Sequence, residues 1–456
     1  MTRTPLTYGA HIRATLALGA PLIGGHLAQF AIGLTDTIML GWYGVEALAA
    51  VTLAATYFYV LFLMGAGFAW AVMPMVAAYE TEGDQTNVRR ATRMGLWLSV
   101  GFAALSMPFL WWSEPILLVL GQQPTVAADA AEYLRVAGWG VFPALVMMVL
   151  KSYLAALSRT QVVLWMTLLA ALANVVVNYA LIFGNWGMPE LGLQGAAIAS
   201  VITQSIAMVG MMIYAIVVLP EHALFQRLWR PDWEMFRKVL VLGLPIGLTL
   251  LSEVSLFAAS ALMMGWLGTI PLAAHGVAVQ LASATFMLHM GLSNAATIRA
   301  SQAFAARDRE HMARGAWTVI GLSLLVALFT IAAFLLMPEL LISAFLEPDD
   351  PARAEIIAIG IGLLAMAALF QLVDGAQVIA LGLLRGIQDT GRPMVIAALS
   401  YWAVGIPASY ILGFPMGLGG IGVWLGLVLG LACAGILLMM RFWGAGLSRL
   451  EAPARA

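Results

Sequence analysis

Three acidic residues stand where acids are costly. Asp36 lies in AIGLTDTIMLGW, Glu253 in LLSEVSLFAASALMMG and Asp374 in FQLVDGAQVIALGLLRGIQDT, each within a long apolar stretch. The run before Asp374, IIAIGIGLLAMAAL, carries no charge, and the next basic residue is Arg385, eleven positions on. A carboxylate in such a setting needs a proton, a hydrogen-bond donor, water or a bound cation, and by default it marks an ion or substrate path. Holding a proton in one state and another cation in the next is the chemistry of a coupled antiporter. A structural hydrogen bond between helices is the alternative for any single acid. Three acids with no Lys or Arg at their depth favour the path for the set. Asp36 is the weakest member, because it lies near the end of its helix, where outside water is an alternative partner. Asn174 and Asn178, in LANVVVNYALIFG, are four apart and share a helix face. They read either as interhelical hydrogen-bonding residues or as one polar wall of a cavity.

The elements that position these residues follow from composition. The chain has 456 residues, 62% hydrophobic and 10% charged, with mean hydropathy +0.93. A soluble chain is about half apolar and a quarter charged, so a polytopic membrane protein is expected. Twelve stretches approach the roughly 20 residues of a spanning helix: 14–41, 50–79, 92–113, 128–155, 161–184, 192–219, 238–266, 276–304, 313–336, 354–385, 393–414 and 418–442. None alternates like a barrel strand, and helices are the remaining way to satisfy a backbone in lipid. The fold class is all-α with twelve transmembrane helices.

Segments 89–93, 151–159, 227–238, 299–314, 385–392 and the two tails hold 20 of the 22 Lys and Arg, leaving only Arg135 and Arg353 toward the other face. Positive charge marks the cytoplasmic side, so both termini are expected there, on a multi-pass protein of the inner membrane. The first apolar stretch is too long for a cleavable signal. Near-balanced charge, with 22 basic and 23 acidic residues, argues against a nucleic-acid partner. The single Cys433 excludes a disulfide framework and a cysteine metal site. HExxH, GxSxG and GxxxxGK[ST] are all absent, and no loop is long enough for a nucleotide-driven motor.

The chain is also written twice. LGAP at 18–21 returns as LGLP at 242–245, MLGW at 39–42 as MMGW at 263–266, and Pro124 as Pro348, all shifted by 224. GLQGAAIA at 192–199 returns as GLGGIGVW at 417–424. The expected domains are six-helix bundles at 1–220 and 238–443, a polar cytoplasmic linker at 221–237 and a tail at 444–456. Six is even, so the halves run parallel, and repeats of this kind place a substrate site near mid-membrane between them. The candidate site residues break the repeat: Glu253 matches Gln29, Asp36 matches Ser260, and Asp374 matches about Val149. Asn174 and Asn178 match about Leu399 and Ala403. By contrast Pro21 and Pro245 match each other and read as a symmetric bend. Arg159 and Arg385 read as interfacial anchors at equivalent helix ends.

Together these motifs resemble the MATE family, the multidrug and toxic compound extrusion transporters, and within it the NorM-like branch. The likeness covers nearly the whole chain, and the Glu253 and Asp374 contexts are its most specific part. It implies a fold of two bundles forming a V. It also implies export of organic cations and amphipathic drugs driven by inward Na⁺ or H⁺. The acids matching Glu253 and Asp374 form the cation site of the C-terminal bundle, and they are the Na⁺ ligands if sodium is the coupling ion. Those matching Asp36, Asn174 and Asn178 lie in the N-terminal cavity. Phe257, Phe370, Gln280 and His289 complete the expected substrate-facing set, with no other cofactor and a monomeric protein. Three positions depart from the family pattern. Phe370 replaces a frequent Tyr, Gly276 replaces a frequent Gln, and His289, a proton-carrying side chain, stands where Pro is common. Two rivals remain. A lipid-linked oligosaccharide flippase of related architecture needs a basic cavity for pyrophosphate. A membrane-embedded enzyme would use the carboxylates as acid and base.

Overall fold

The computed structural model describes residues 7–348 and 351–450. Twelve helices are long and apolar enough to cross a membrane: α1 (Tyr8–Tyr43), α2 (Ala49–Glu82), α3 (Gln85–Trp111), α4 (Pro124–Ala156), α5 (Thr160–Phe183), α6 (Gly192–Val218), α7 (Trp233–Leu267), α8 (Thr269–Ala305), α9 (Arg309–Leu336), α10 (Arg353–Gly386), α11 (Gly391–Gly413) and α12 (Gly419–Gly446). Number, order and kind agree with the sequence reading. Short helices, Ser113–Val119 and Pro338–Ser343, precede α4 and α10 at matching places. The described residues include no strand. The end of the expected tail, residues 451–456, lies outside them.

The repeat reappears as matched local structure. Asp84 caps α3 by accepting from the Asn87 N–H at 2.9 Å, and Asp308, 224 positions on, caps α9 by accepting from the His311 N–H at 2.8 Å. Both caps satisfy amides that a helix start leaves unpaired. The ends of α4 and α10 also match. Ser158 (φ 61°) donates its N–H to the Ala155 carbonyl at 2.9 Å, and Gln388 (φ 55°) donates to Arg385 at the same distance. This pairing sets Arg385 opposite Ala155, at helix ends that are equivalent as expected, with Arg159 four residues beyond that point. Carried up the helix, it also sets Asp374 opposite Ala144 rather than Val149. Either counterpart is apolar, so the asymmetry stands.

The chain divides into two compact units, and the division differs from bundles at 1–220 and 238–443. One unit is Gly24–Gly247; the other joins the chain up to Ile23 to the chain from Leu248 on. Both breaks fall inside helices, α1 and α7, at positions 224 apart. Each lies two residues past a proline, Pro21 or Pro245, where a helix lacks an N–H and tends to kink. Glycines seat the early part of each broken helix. A Cβ on Gly67 would lie 2.5 Å from the Gly247 nitrogen, and one on the matching Gly291 would lie 2.7 Å from the Ile23 nitrogen.

The polar linker segment is tied down within its unit. Arg93 donates to the carbonyls of Ala223 and Leu224, both at 2.7 Å, and the Trp97 indole donates to Leu228 at 2.7 Å. Arg90 grips Asp232 through two nitrogens and reaches Glu234 at 3.2 Å. The Arg90 hydrogen bonds hold the Asp232 carboxyl below the usual carboxylate range.

Two predictions follow from this packing. Gly67→Ala should destabilise the purified protein by about 1–3 kcal/mol, because backbone rather than a flexible side chain blocks the added carbon. Gly101→Ala, where nothing lies within 4 Å, should leave the thermal midpoint unchanged. The second concerns acid. A depressed folded pKa at Asp232 gives stability that is complete above the ordinary Asp value of about 3.9 and is lost as pH falls through the lower folded value. Pepsin cleavage of the 221–232 segment should therefore accelerate on acidification below about pH 4 in the native chain. With Asp232→Asn it should already be fast at the upper end of that range.

Candidate functional site

The polar residues singled out by sequence gather into two clusters, one in each unit. In the Gly24–Gly247 unit, α1 supplies Asp36, α5 supplies Asn174 and Asn178, and α6 supplies Ser200. Asn174 Nδ2 donates to Asp36 Oδ1 at 3.0 Å and Asn178 Nδ2 to the same oxygen at 2.5 Å. Ser200 Oγ donates to Asp36 Oδ2 at 3.5 Å, and Tyr133 of α4 hydrogen-bonds Ser200. Asn178 Oδ1 is buried with no partner. The four-residue spacing of the asparagines is thus used: both amides converge on one carboxylate from one helix face. Asp36 is half-buried, and protein donors reach both of its oxygens.

In the other unit, α10 carries Asp374, only 1% exposed, and α7 carries Glu253, 8% exposed. The two lie within electrostatic reach of each other. Neither oxygen of Asp374 has a hydrogen-bond partner. Gln377, one turn along α10, hydrogen-bonds Glu253 and donates Nε2 to Tyr401 Oη at 2.5 Å. Its own Oε1 is buried without a partner. Three unpartnered buried oxygen acceptors beside a second carboxylate form an oxygen-only donor set, which suits a proton or a hard cation. Among the described residues no group of three or more His, Cys, Asp or Glu could hold a metal ion, so a cage built from such side chains alone is not part of this site.

Gln377, Tyr401 and Arg385 were missed by the sequence reading. Arg385, in the last turn of α10, is 6% exposed and lies in the field of Glu253, so it bears on the acids as well as ending the helix. Its signal was its spacing: eleven residues from Asp374 is three helical turns, the same face of α10. Tyr401 had no such signal. It sits in a π-helical turn, Ser400–Gly405, within α11. Pro407, just beyond, has no N–H for the usual helical bond, and the chain re-registers ahead of it. That turn brings a phenol to the acids from a different helix, although Phe370 lacks one.

The expected substrate-facing residues are dispersed. Phe370 is buried between Phe257 and Trp424, with ring centroids 5.8 Å away on both sides in edge-to-face contact. Phe257 is half-buried, and Gln280 is exposed on α8. His289 is fully buried, and its Nδ1 bonds Ser323 Oγ at 2.9 Å while Nε2 has no partner. It abuts α10 beside the acid: a Cβ on Gly375 would lie 2.8 Å from His289 Cε1.

Removing Asp36 leaves three donors facing no acceptor, at about 1–3 kcal/mol for each that stays buried. Asp36→Leu should lower the thermal midpoint in detergent clearly more than Asp36→Asn, which keeps an acceptor oxygen.

A family model described as MatE matches residues 21–180 and again 245–411, two matches that follow the repeat. The chain is 46% identical over 442 residues to the "Probable multidrug resistance protein NorM" of Rhizobium meliloti, covering 96% of this chain and 94% of that one. It is 42% identical over 435 residues to the protein of the same name from Agrobacterium fabrum, covering 95% and 94%. Solved structures of similar fold include the eukaryotic MATE transporter AtDTX14, with TM-score 0.85, 16% identity and coverage of 97% and 99%. Another is a MATE in the bent conformation, with TM-score 0.85, 20% identity and coverage of 98% and 99%.

Proposed function

We propose the following function for this chain, which belongs to the MatE family of membrane transporters and is not an enzyme: it exports cationic and amphipathic drugs in exchange for inward Na⁺ or H⁺. The relatives' name, multidrug resistance protein, supports the drug spectrum. The observation that carries the coupling is the Asp374 carboxylate, buried beside Glu253 with neither oxygen hydrogen-bonded.

In this mechanism the external cation binds first, at Asp374 and Glu253. Its single charge offsets Asp374, while the Arg385 guanidinium lies in the field of Glu253, and together they weaken the pair's hold on a cationic drug. Gln377 fixes one of the pair through its bond to Glu253, and Tyr401 fixes Gln377 in turn. Arg385 holds Glu253 from the side and leaves Asp374 as the freer acid. Phe257, the half-buried ring that packs on the enclosed Phe370, offers an aromatic surface for the flat part of a drug. Asp36 with Asn174 and Asn178 provides a second polar station in the other unit. Drug and ion must prefer different access states, since equal affinity for both shifts nothing. Both termini face the cytoplasm of the inner membrane, and the monomer is the working unit.

Cells expressing Asp374→Asn or Glu253→Gln at wild-type levels should lose ethidium or norfloxacin efflux by about tenfold or more, the scale of a typical coupling free energy. Tyr401→Phe should retain transport but need more of the driving ion for half-maximal rate. Near-normal efflux in both acid variants contradicts the proposal. In proteoliposomes, ΔpNa and ΔpH imposed separately tell the two ions apart.

A further inference from the structure

Away from the acids, one end of the unit that holds them contains a second buried polar group. Arg299 on α8 is 8% exposed and its Nη2 donates to His11 Nδ1 at 2.6 Å. No carboxylate pairs with it among the described residues. Its Nε is buried and unpartnered. His11, fully buried on α1, accepts through Nδ1, so the remaining proton of the neutral ring sits on Nε2, and that atom is unpartnered too. Thr15, one turn along, is buried with its hydroxyl free. This is unusual in α1, where Thr35 and Thr37 both bond the carbonyl four residues back at 2.9 Å. Three buried groups that can donate are therefore left without acceptors within one turn of α1 and the facing part of α8.

Arg299 and Thr15 line a narrow cleft, with room for about one oxygen-sized group, together with Ala296, His311, Gly315 and Leu383; His11 sits behind Arg299. The His311 ring lies 4.7 Å from that of His11. The acids nearby are engaged elsewhere. Asp308 caps α9, and Glu310 pairs with Arg314 at 2.5 Å. Arg314 in turn lies over the Tyr8 ring at 5.8 Å. The cluster is cationic, short of acceptors and open on one side.

The repeat shows that the architecture does not require it. At positions 224 earlier or later, Arg299, His11 and Thr15 match Met75, Met235 and Val239, all buried and apolar. Those three positions are apolar there, while His311 matches Asn87, whose side chain is taken up by Asp84 and Arg90. A polar set built in one copy only, at the expense of three unsatisfied donors, needs a ligand to account for it.

We propose that Arg299, Thr15 and His311 bind one oxygen of a phosphate group at this cleft between α1, α8 and α9, with His11 orienting the Arg299 guanidinium. A phosphoryl oxygen accepts from several donors at once and pairs with guanidinium. Basic pockets between membrane helices at the cytoplasmic face take anionic lipid headgroups, and a free phosphate offers the same oxygens.

The test is native mass spectrometry of the purified full chain, delipidated in detergent and titrated with cardiolipin, phosphatidylglycerol or inorganic phosphate in separate arms. The wild-type chain should bind one equivalent. Arg299→Gln should weaken it about tenfold, the scale of one lost charge-assisted hydrogen bond, and Thr15→Val should weaken it by a smaller factor. Arg230→Gln, an exposed position in the other unit, should change nothing. Binding in the lipid arms identifies a headgroup, and binding of phosphate alone identifies a free oxyanion. Thr15→Val keeps the side-chain shape and carries the test by itself if Arg299→Gln does not fold. Equal affinity in wild type, Arg299→Gln and Thr15→Val, or no binding to wild type in any arm, overturns the site.

Discussion

The structure turns on a carboxylate with nothing to bond to. An unsatisfied buried polar atom costs about 1–3 kcal/mol, and more when charged. Asp374 presents two such atoms in the core of its unit, on the face of α10 that meets Glu253. A fold optimised only for stability would place an apolar side chain here, as the repeat does at Ala144. The neighbouring groups limit the penalty without removing it: Gln377 and Arg385 engage Glu253, not Asp374. What remains is a buried oxygen site, which the proposed mechanism fills with an exchangeable cation.

The repeat supplies the frame against which this asymmetry stands out. Matching caps at Asp84 and Asp308, matching glycines at Gly67 and Gly291, and matching helix breaks after Pro21 and Pro245 belong to the scaffold common to both copies. Residues present in one copy only fall into three groups. Asp36 with its asparagines and Glu253 with Asp374 form two; Arg299 with His11 and Thr15 forms the third. Each contains buried polar atoms that the opposite copy replaces with packing or with a different polar type. Duplication thus separates what holds the bundle together from what the bundle holds.

Much of this was legible in the sequence, for identifiable reasons. Spans follow from length and apolarity, which a bilayer enforces residue by residue. Asp36, Asn174 and Asn178 were legible because α-helical spacing puts the two amides on one face, and they do meet at one carboxylate. Three features were hidden. The division into units inside α1 and α7 depends on glycine contacts between residues far apart in sequence, such as Gly67 with Gly247. Arg385 was misread because it stands in the last turn of α10, and that position gives no sign that its side chain is buried in the field of Glu253. Tyr401 depends on a π turn that rotates α11 ahead of Pro407, and no periodic pattern anticipates a re-registered helix. Phe370 was expected to face substrate, yet it is enclosed by Phe257 and Trp424; apolar character alone does not distinguish a cavity wall from a core.

The account rests on competition between a drug and a small cation for the same two acids. Displacement measured on purified protein in weakly buffered detergent tests it most directly, with a pH indicator reporting released protons and ²²Na⁺ reporting released sodium as a cationic drug is added. The account predicts that drug binding releases one of these ions from the wild-type protein and neither from Asp374→Asn. Drug binding with the same release from Asp374→Asn, or with no release from the wild type, contradicts it.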